Sequence, residues 1–509
     1  MTEPSPSSRL LAPAEGLAAA LTDPARRERT VVAVLAGYVA IWTLYGVLAK
    51  SSQDLHVDMT EVAAWARELA LGYPKHPPLS AWIAAVWFAV FPAADWAFYL
   101  LSMAVVGVAL WIAWHLAGDY LDGDKRVLAL VLLMLVPFFN FHALKYNANS
   151  VLLPMWAAAA LCFLRSYERR SPLWAALAGL AAAGAILGKY WSVVLVLGLV
   201  LAALIDSRRV AYFRSPAPYV TAAVGALALA PHLAWLAVND FAPFAYASAR
   251  GSATFASALS AVGGYLAGSA GYAALAVVLG LAATRPSRLA AADMLVPATQ
   301  ERRLAAMAFW LPLLLPVVCA PLAGVRITSL WSMSAWALMP VVLLSSPLVA
   351  VDHRALLHLI AFAIALPVAM VAVAPGISYV IHRAGGQPAA VHSDLLAQRV
   401  AHEWRRRTDW PLRTVGGDAD LAYGVAFYLP GRPSAFPEFN RKAAPWIDVE
   451  RLRREGMAIV CHAADPTCPV AASAYGLGGP RVDVEISRSY FGVAGRSERY
   501  AIIVVPPRP

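Results

Sequence analysis

The sequence has few charged residues, since Asp, Glu, Lys and Arg make up only 14% of its 509 residues. Ordinary soluble domains carry about 25% charged residues, so the class of soluble globular enzymes is excluded. Hydrophobic residues make up 60% of the chain and stand in long unbroken runs, not in short alternating strands. This pattern indicates transmembrane helices and argues against an outer-membrane barrel. A polytopic α-helical membrane protein is therefore predicted.

Cysteine is also scarce, with four residues in the chain. Two lie within apolar runs, where packing is the expected role. Cys461 and Cys468 lie in a polar tail, in the sequence CHAADPTC, and can close a small loop. If the tail lies outside the cytoplasm, a disulfide is the favoured interpretation. The weaker alternative is a metal site with His462 and Asp465, and no metal site is predicted.

The net charge of +10 is distributed in a way that excludes a nucleic-acid-binding surface. Basic residues cluster in short loops between apolar runs, which is typical of cytoplasmic loops in membrane proteins. No nucleic-acid partner is therefore expected. The clusters are Arg26-Arg27-Glu28-Arg29, Arg165 with Arg169-Arg170, Arg208-Arg209, Arg285 to Arg303, and His353-Arg354.

The chain divides into three regions by composition. Residues 1–29 are polar and rich in Ser, Pro and Ala, and we expect a disordered cytoplasmic N-terminus. Residues 30–375 hold the apolar runs and form the predicted transmembrane domain. Residues 376–509 lack a spanning run and predict a soluble extracytoplasmic α/β domain. Its strand-like runs are Leu412 to Val415, Met457 to Val460 and Tyr500 to Val505, with a helical patch at Ser393 to Arg407.

The basic loops also predict which loops lie outside. They place the 51–78 loop, the 140–150 loop and the tail on the outer face. Three apolar segments separate the first two loops, so one segment must fail to cross. We assign this role to segment 78–93, which is the shortest and starts at Pro77-Pro78. About eleven full spans remain, within a range of about 11 to 13 transmembrane helices.

The 51–78 loop carries most of the candidate chemistry. Asp58 and Glu61 stand three residues apart and share one face if 58–70 is a helix. The remaining face is apolar, as in a helix that lies along the membrane surface. The functional interpretation is a general base or charge stabiliser beside the membrane. The alternative is solvated interfacial charge.

The end of this loop reads GYPKHPP and adds Tyr73, Lys75 and His76. Its paired prolines restrict the backbone where the chain enters the next apolar run. Lys75 and His76 are therefore held close to the acids, where a phosphate leaving group would need cations. The alternative is a lysine that reaches to the membrane surface beside prolines that start a helix.

Other polar residues in predicted outer loops are further candidates for substrate binding. Asn149, like Ser150, has helix capping as its structural alternative. Lys189 lies between two apolar runs, where an unpaired lysine is costly, so a functional role is favoured. The complete set is Lys145, Asn147, Asn149, Lys189, Tyr190, His232 and Arg326.

The segment DMTEVAAWARELALGYPKHPPLSAW resembles the first external loop of the glycosyltransferase 39 superfamily. That group contains protein O-mannosyltransferases and the aminoarabinose transferases that modify lipid A. LGKYW, ITSLWSMSAWALMP, PLRTVGGD and FYLPGRP also look like this family. The similarity follows the chain in order over most of residues 31–460.

The resemblance implies a GT-C architecture, a polyprenyl-phosphate-linked sugar donor and catalysis at the outer surface of a bacterial inner membrane. The acceptor would be lipid A or its core, another envelope glycolipid, or a protein hydroxyl. Asp58 matches the family's loop aspartate, which would deprotonate or orient the acceptor. Lys75, His76 and Lys189 would hold the donor phosphate. The lack of a nucleotide-sugar motif agrees with a lipid-linked donor.

One departure from the family pattern concerns the second outer loop. Many relatives carry an acid there in a D-A-P-L-like sequence, whereas this chain has Asn147 and Asn149. An amide neither acts as a base nor holds a metal as a carboxylate does, so a metal-independent reaction is favoured and metal use stays open. The alternative function is a transporter or flippase of lipid-linked sugars, which predicts internal repeats and charges near mid-bilayer. No repeat is seen in the sequence.

Overall fold

The computed structural model describes residues 6–251, 254–386 and 389–507, and most of this chain is helical. The helices of the first three quarters are α1 (Pro6–Thr22), α2 (Arg27–Ala49), α3 (Val57–Glu68), α4 (Leu79–Val90), α5 (Asp95–Ala117), α6 (Gly123–Leu135), α7 (Leu152–Arg169), α8 (Pro172–Gly188), α9 (Val193–Ile205), α10 (Arg209–Phe213), α11 (Ala217–Val238), α12 (Ala242–Gly251), α13 (Phe255–Thr284), α14 (Arg288–Leu295), α15 (Gln300–Leu322), α16 (Met339–Leu344) and α17 (His353–Ala384). Four 3-10 segments interrupt them, at Pro137–Phe139, Phe141–Leu144, Tyr190–Ser192 and Ser329–Leu338.

The C-terminal part adds four helices and seven strands. The helices are α18 (Ala389–Arg405), α19 (Ala419–Tyr428), α20 (Val449–Glu455) and α21 (Thr467–Ala474). The strands are β1 (Thr414–Gly417), β2 (Ser434–Pro437), β3 (Met457–His462), β4 (Arg481–Ile486), β5 (Ser489–Tyr490), β6 (Val493–Ala494) and β7 (Glu498–Val505).

Six helices in the described part of the chain are long and apolar enough to cross a membrane: α2, α5, α11, α13, α15 and α17. A seventh span results if α6 and the 3-10 turns after it are one span bent by 78°. Shorter apolar helices lie at Leu79–Val90, Pro172–Gly188, Tyr190–Ile205 and Ser329–Leu344. The predicted polytopic helical fold is confirmed, while the count of eleven full spans stays a prediction.

The chain forms two compact units. The first contains Met1–Trp42, Ser102–Leu144 and Ala148–Ala369. Its helices pack closely where small residues meet: a Cβ on Gly179 of α8 would lie 2.4 Å from the Thr221 carbonyl oxygen of α11. Glycine at this crossing lets the two backbones approach, which is how membrane helices gain van der Waals contact.

The structure of the first unit differs from the predicted disordered N-terminus, and one of its apolar runs is irregular. Residues 6–22 form helix α1 instead of a disordered segment, because Ala14, Ala18 and Leu21 recur at helical spacing and are buried. The first five residues of that predicted segment lie outside the described chain. The apolar run 329–350 does not form one regular span. It forms a 3-10 segment, Ser329–Leu338, followed by the six-residue α16.

The lengths of α4 and α17 bear on the predicted topology. Helix α4 has 12 residues and therefore rises only about 18 Å, which is short of a hydrocarbon core of about 30 Å. This length agrees with the prediction that segment 78–93 does not cross completely. Helix α17 continues to Ala384, so the predicted domain boundary at 375 falls inside a helix, and the predicted domain bounds stay a prediction. Its apolar run ends near that boundary, but helical hydrogen bonding continues through the polar residues that follow.

The second unit contains Thr43–Leu101, Lys145–Asn147 and Met370–Pro509. Its main sheet has the strand order β2-β1-β3-β7-β4. Strand β1 pairs in parallel with β2 and β3, while β7 runs antiparallel to β3 and β4. The predicted α/β domain is confirmed, and each of the three strand-like runs overlaps a strand of this sheet.

Two apolar cores cover the two faces of the sheet in the second unit. One contains Trp404, Leu421, Ile502 and Val504, and the other contains Phe436 and Ile459, among others. Val57 and Ala64 of α3 pack against the first core. The helix predicted in the 51–78 loop therefore packs on the C-terminal α/β domain.

The predicted disulfide is present. Cys461 at the end of β3 is bonded to Cys468 in the first turn of α21. Both residues are buried in the second apolar core. The bridge closes the connection between a central strand and the helix that covers it.

Candidate active site

Helix α3 begins at Val57 because His56 caps it. The Nδ1 atom of His56 accepts a hydrogen bond from the Asp58 backbone N–H at 3.1 Å. A side-chain acceptor at this position satisfies one of the free N–H groups of a helix start. The cap leaves Asp58 in the first turn, where the helix dipole favours a negative charge.

The sequence pattern predicts that the apolar face of α3 lies against the membrane. In the structure, protein covers this face instead. Val62, Ala63, Trp65 and Ala66 are all at most 5% exposed. They are covered by protein, since α3 packs against α4 and α19. The polar face with Asp58 and Glu61 is consequently held in a fixed orientation by a packed core.

The segment after α3 is held by aromatic packing. The Tyr73 ring stacks on Trp65 with a centroid distance of 5.1 Å. Its hydroxyl donates to the Trp65 carbonyl at 2.7 Å and accepts from the Ala70 N–H at 3.1 Å. Tyr73 is completely buried. The structure therefore places Tyr73 in the packing that supports the site, not among side chains open to a substrate.

Asp58 is the centre of a small charged cluster in the second unit. The Lys145 Nζ lies 3.1 Å from its Oδ2 atom, and the Asn147 Nδ2 donates to the same oxygen at 3.4 Å. The Asp58 side chain is 32% exposed and the Lys145 side chain 41% exposed. The pair is thus half-buried and open to a ligand.

Electrostatics keep the Asp58 carboxyl ionised. Burial disfavours its charged form, but the positive charge of the nearby Lys145 outweighs this effect. The hydrogen bond from Lys145 and the charge of Lys75 act in the same direction, and the pKa of Asp58 lies below its ordinary value. A carboxylate in this state is able to accept a proton at neutral pH.

The second acid of the loop has its own cation. The Lys75 Nζ lies 2.8 Å from the Glu61 Oε2, and the Glu61 side chain is only 13% exposed. The His76 ring lies edge-on to Trp65 at a centroid distance of 6.1 Å. The structure thus pairs Glu61 with Lys75 and packs His76 against Trp65, while the predicted roles of Asp58, Glu61, Lys75 and His76 in catalysis and binding stay predictions.

Contacts to the α/β domain fix both ends of this loop. Arg488 forms an ion pair with the buried Asp54, and the Asp54 Oδ2 also accepts from the Asp394 N–H at 3.1 Å. At the other end of α3, Ser434 donates to Glu68 at 2.7 Å and accepts from Arg67 at 3.2 Å. These partners stand far away in the sequence, so no local pattern indicated them.

The first unit holds a polar cluster around Lys189. The Lys189 Nζ donates to the Asn149 Oδ1 at 2.7 Å and lies 4.9 Å from the centroid of the Trp331 ring. Trp331 also packs against Trp191. Lys189, which would be costly to bury without a partner, is therefore paired with Asn149. The contact with Trp331 was not predicted, although its segment ITSLWSMSAWALMP stands out in the sequence.

Tyr190 and His232 also come together in the first unit. Their rings stack, and the Tyr190 hydroxyl lies 2.9 Å from the His232 Nε2. Arg326, in contrast, is exposed between α15 and the following 3-10 segment, and within the described part of the chain it forms no ion pair. The predicted roles of these three residues in donor binding stay predictions.

His56 is a site residue that the sequence reasoning left out. Its Nδ1 lies 3.8 Å from the Asp58 Oδ1. The signal available in the sequence was a histidine two residues before a helix-starting aspartate. Among the described residues, no three His, Cys, Asp or Glu side chains are arranged to hold a metal ion.

Comparisons with known proteins agree with this architecture. Residues 75–235 match the family model described as dolichyl-phosphate-mannose-protein mannosyltransferase. The chain is 30% identical over 233 residues to the lipopolysaccharide core galacturonosyltransferase RgtB of Rhizobium johnstonii (strain DSM 114642 / LMG 32736 / 3841). That match covers 44% of this chain and 45% of the relative, so the chain aligns with less than half of RgtB.

The fold is similar to that of ArnT from Cupriavidus metallidurans. The crystal structure of ArnT bound to undecaprenyl phosphate has a TM-score of 0.61 and 14% identity, and it covers 93% of this chain and 98% of ArnT. The apo structure of ArnT has a TM-score of 0.60 and 12% identity, with the same coverage. The predicted resemblance is confirmed: part of the chain is similar to the dolichyl-phosphate-mannose-protein mannosyltransferase family and to the glycosyltransferase RgtB, and the chain shares the fold of ArnT.

Proposed function

We propose that this protein is an integral-membrane glycosyltransferase that moves one sugar from a polyprenyl-phosphate donor to an extracytoplasmic acceptor. The observation that carries the proposal is an ionised, half-exposed Asp58 with Lys145 against one of its two oxygens. A carboxylate beside a cation is the set of groups that proton abstraction and a phosphate leaving group require.

In the proposed reaction the acceptor hydroxyl attacks the anomeric carbon of the donor sugar. Its proton passes to an Asp58 oxygen, and the bond between the anomeric carbon and the phosphate oxygen breaks. The electron pair stays on the polyprenyl phosphate. Lys145 and Lys75 are the cations of this loop cluster that would stabilise the departing phosphate.

The relatives support the substrate classes. ArnT binds undecaprenyl phosphate, which supports a polyprenyl phosphate donor here. RgtB is named for galacturonosyl transfer to the lipopolysaccharide core, which favours an envelope glycolipid over a protein hydroxyl as the acceptor. We therefore propose a glycolipid of the lipid A or core class as the acceptor.

We further propose that the active site and the α/β domain lie on the periplasmic face of a bacterial inner membrane. The basic loops support this orientation through the positive-inside pattern. The Cys461–Cys468 disulfide supports an oxidising compartment for the C-terminal domain.

Mass spectrometry of envelope glycolipids tests this function and identifies the sugar. A deletion strain should lose one sugar mass increment from one glycolipid class, and the wild-type gene should restore it. Complementation with the Asp58→Asn variant, expressed at the same level in the membrane, should not restore it. Identical glycolipids in the deletion and wild-type strains would contradict the proposed acceptor class.

A further inference from the structure

The segment Lys145–Asn147 is built to present two polar side chains to one carboxylate. Lys145 and Asn147 both contact the Asp58 Oδ2 atom, while Tyr146 between them points into the protein. The Tyr146 hydroxyl donates to the Ser80 carbonyl at 3.0 Å, and this side chain is completely buried. The packing of Tyr146 thus sets the position of the cation beside Asp58.

The two Asp58 oxygens have different surroundings. Lys145 and Asn147 both engage Oδ2, whereas Oδ1 faces the His56 Nδ1 at 3.8 Å. That nitrogen already accepts the Asp58 N–H, so it has no proton to give to Oδ1. Because Lys145 and Asn147 contact Oδ2, we assign Oδ1 as the oxygen that takes the acceptor proton.

Charge moves in opposite directions at the two ends of the proposed reaction. Asp58 loses its negative charge when it takes the acceptor proton. The phosphodiester gains one negative charge when it leaves as a phosphate monoester. A cation within reach of both groups is attracted to Asp58 before transfer and to the phosphate after transfer.

We propose that Lys145 changes partner during the reaction, pairing with Asp58 before transfer and with the departing phosphate as the glycosidic bond to it breaks. This inference rests on the proposed function. It makes Lys145 the residue that couples proton uptake by Asp58 to the departure of the phosphate. Lys75 is held by Glu61 at 2.8 Å and therefore has a different starting partner.

The test measures kcat, donor KM and the pH–rate profile of the purified full-length protein with a synthetic polyprenyl-phosphate sugar. Lys145→Gln should lower kcat by about 100-fold or more, with donor KM changed by less than about fivefold. Lys145→Arg keeps the charge and should retain about one tenth of the rate or more. Lys442→Gln, the same change at an exposed lysine of the second unit, should behave as wild type.

The pH profile separates this role from a purely structural one. The groups that face Asp58 are Lys145, His56 and Lys75. Removing the Lys145 charge should raise the pKa of Asp58 and move the acidic limb of kcat/KM to higher pH. A variant that is merely misfolded loses activity at every pH without moving this limb.

Specific outcomes overturn the inference. If Lys145→Gln raises donor KM but leaves kcat within about threefold, Lys145 only binds the donor and does not change partner. If the acidic limb of the kcat/KM profile of Lys145→Gln stays at the wild-type pH, this result also contradicts the inference. If the wild-type protein transfers no sugar from any polyprenyl phosphate donor, the proposed function itself fails. If the wild-type protein is active but Lys145→Gln shows either of the two preceding results, only the inference about Lys145 fails.

Discussion

Gly417 at the end of β1 offers a sharp test of the fold that carries the active-site loop. Its φ angle is +126°, and a Cβ built on it would lie 1.9 Å from the Val460 carbonyl oxygen of β3. Ordinary contacts begin at 3.4 Å, so the two strands would have to separate by about 1.5 Å. Gly417→Ala should therefore disrupt the centre of the sheet in the second unit.

The expected loss of stability has three parts. The backbone conformation is essentially restricted to glycine and costs about 1 to 3 kcal/mol for alanine. Separation of the strands weakens the hydrogen bond from the Asp418 N–H to Val460, worth about 1 kcal/mol. Overpacking between β1 and β3 adds about 1 to 3 kcal/mol. The total of about 3 to 7 kcal/mol is a large part of the stability of an ordinary domain.

Hydrogen exchange of the β1 and β3 amides in the full-length protein measures this loss. Gly417→Ala should reduce their protection by about 100-fold or more. Gly431→Ala is the matched control, since Gly431 has a φ of +78° but nothing within 4 Å of a new Cβ. Gly431→Ala should lower the free energy of unfolding only by the cost of a positive φ angle for alanine, about 1 to 2 kcal/mol. Equal loss of protection in the two variants would refute the steric reasoning.

Two further predictions concern the same α/β domain. Replacing both Cys461 and Cys468 with Ala opens an eight-residue loop and should destabilise the domain by about 2.5 kcal/mol, measured by denaturant unfolding of the domain in detergent. The hydrogen bond with Asp420 raises the pKa of His462 above its ordinary value, although burial opposes this effect. Its stabilising contribution is therefore complete below the ordinary histidine pKa of about 6.5 and is lost as the pH rises through the folded-state value. His462→Gln should remove this loss of thermal stability between about pH 6 and pH 8.

Matched controls make these two predictions decisive. Cys319→Ala removes an exposed free thiol and should leave the unfolding of the α/β domain unchanged. His402→Gln alters an exposed histidine of α18 and should keep the wild-type dependence on pH. A His462→Gln protein with the wild-type slope, or a cysteine double variant as stable as wild type, would show that these contacts contribute nothing.

Much of the architecture was predictable because a bilayer restricts the possible structures. Long apolar runs such as residues 255–282 have to form helices, and α13 occupies Phe255–Thr284. The strand at Met457–His462 was also visible, because its residues are apolar and β-branched and stand between polar segments. Local composition carries this information without knowledge of the rest of the chain.

Irregular backbone and long-range packing could not be predicted in this way. The run at Ser329–Leu338 is apolar but adopts a 3-10 conformation instead of a regular α-helix. Tyr73 stood in a polar motif and was expected to contact a substrate, yet Trp65 and the backbone of α3 enclose it. Burial of this kind depends on neighbours that a single sequence does not identify.

The candidate site was predictable in its residues but not in its pairings. Asp58, Glu61, Lys75 and His76 stand out as charges beside a membrane, and their closeness follows from helical spacing and the prolines. The ion pair between Asp58 and Lys145 joins two separate loops. The anchoring of this loop by Arg488 depends equally on the tertiary fold.

The central claim is that Asp58 is the base of a sugar transfer from a polyprenyl phosphate. The most direct measurement is the single-turnover rate of purified wild-type and Asp58→Asn proteins, with a labelled polyprenyl-phosphate sugar and a glycolipid acceptor. The amide is isosteric and keeps the helix, so donor binding should persist while the rate falls by about 100-fold or more. Transfer by Asp58→Asn at the wild-type rate would contradict the account.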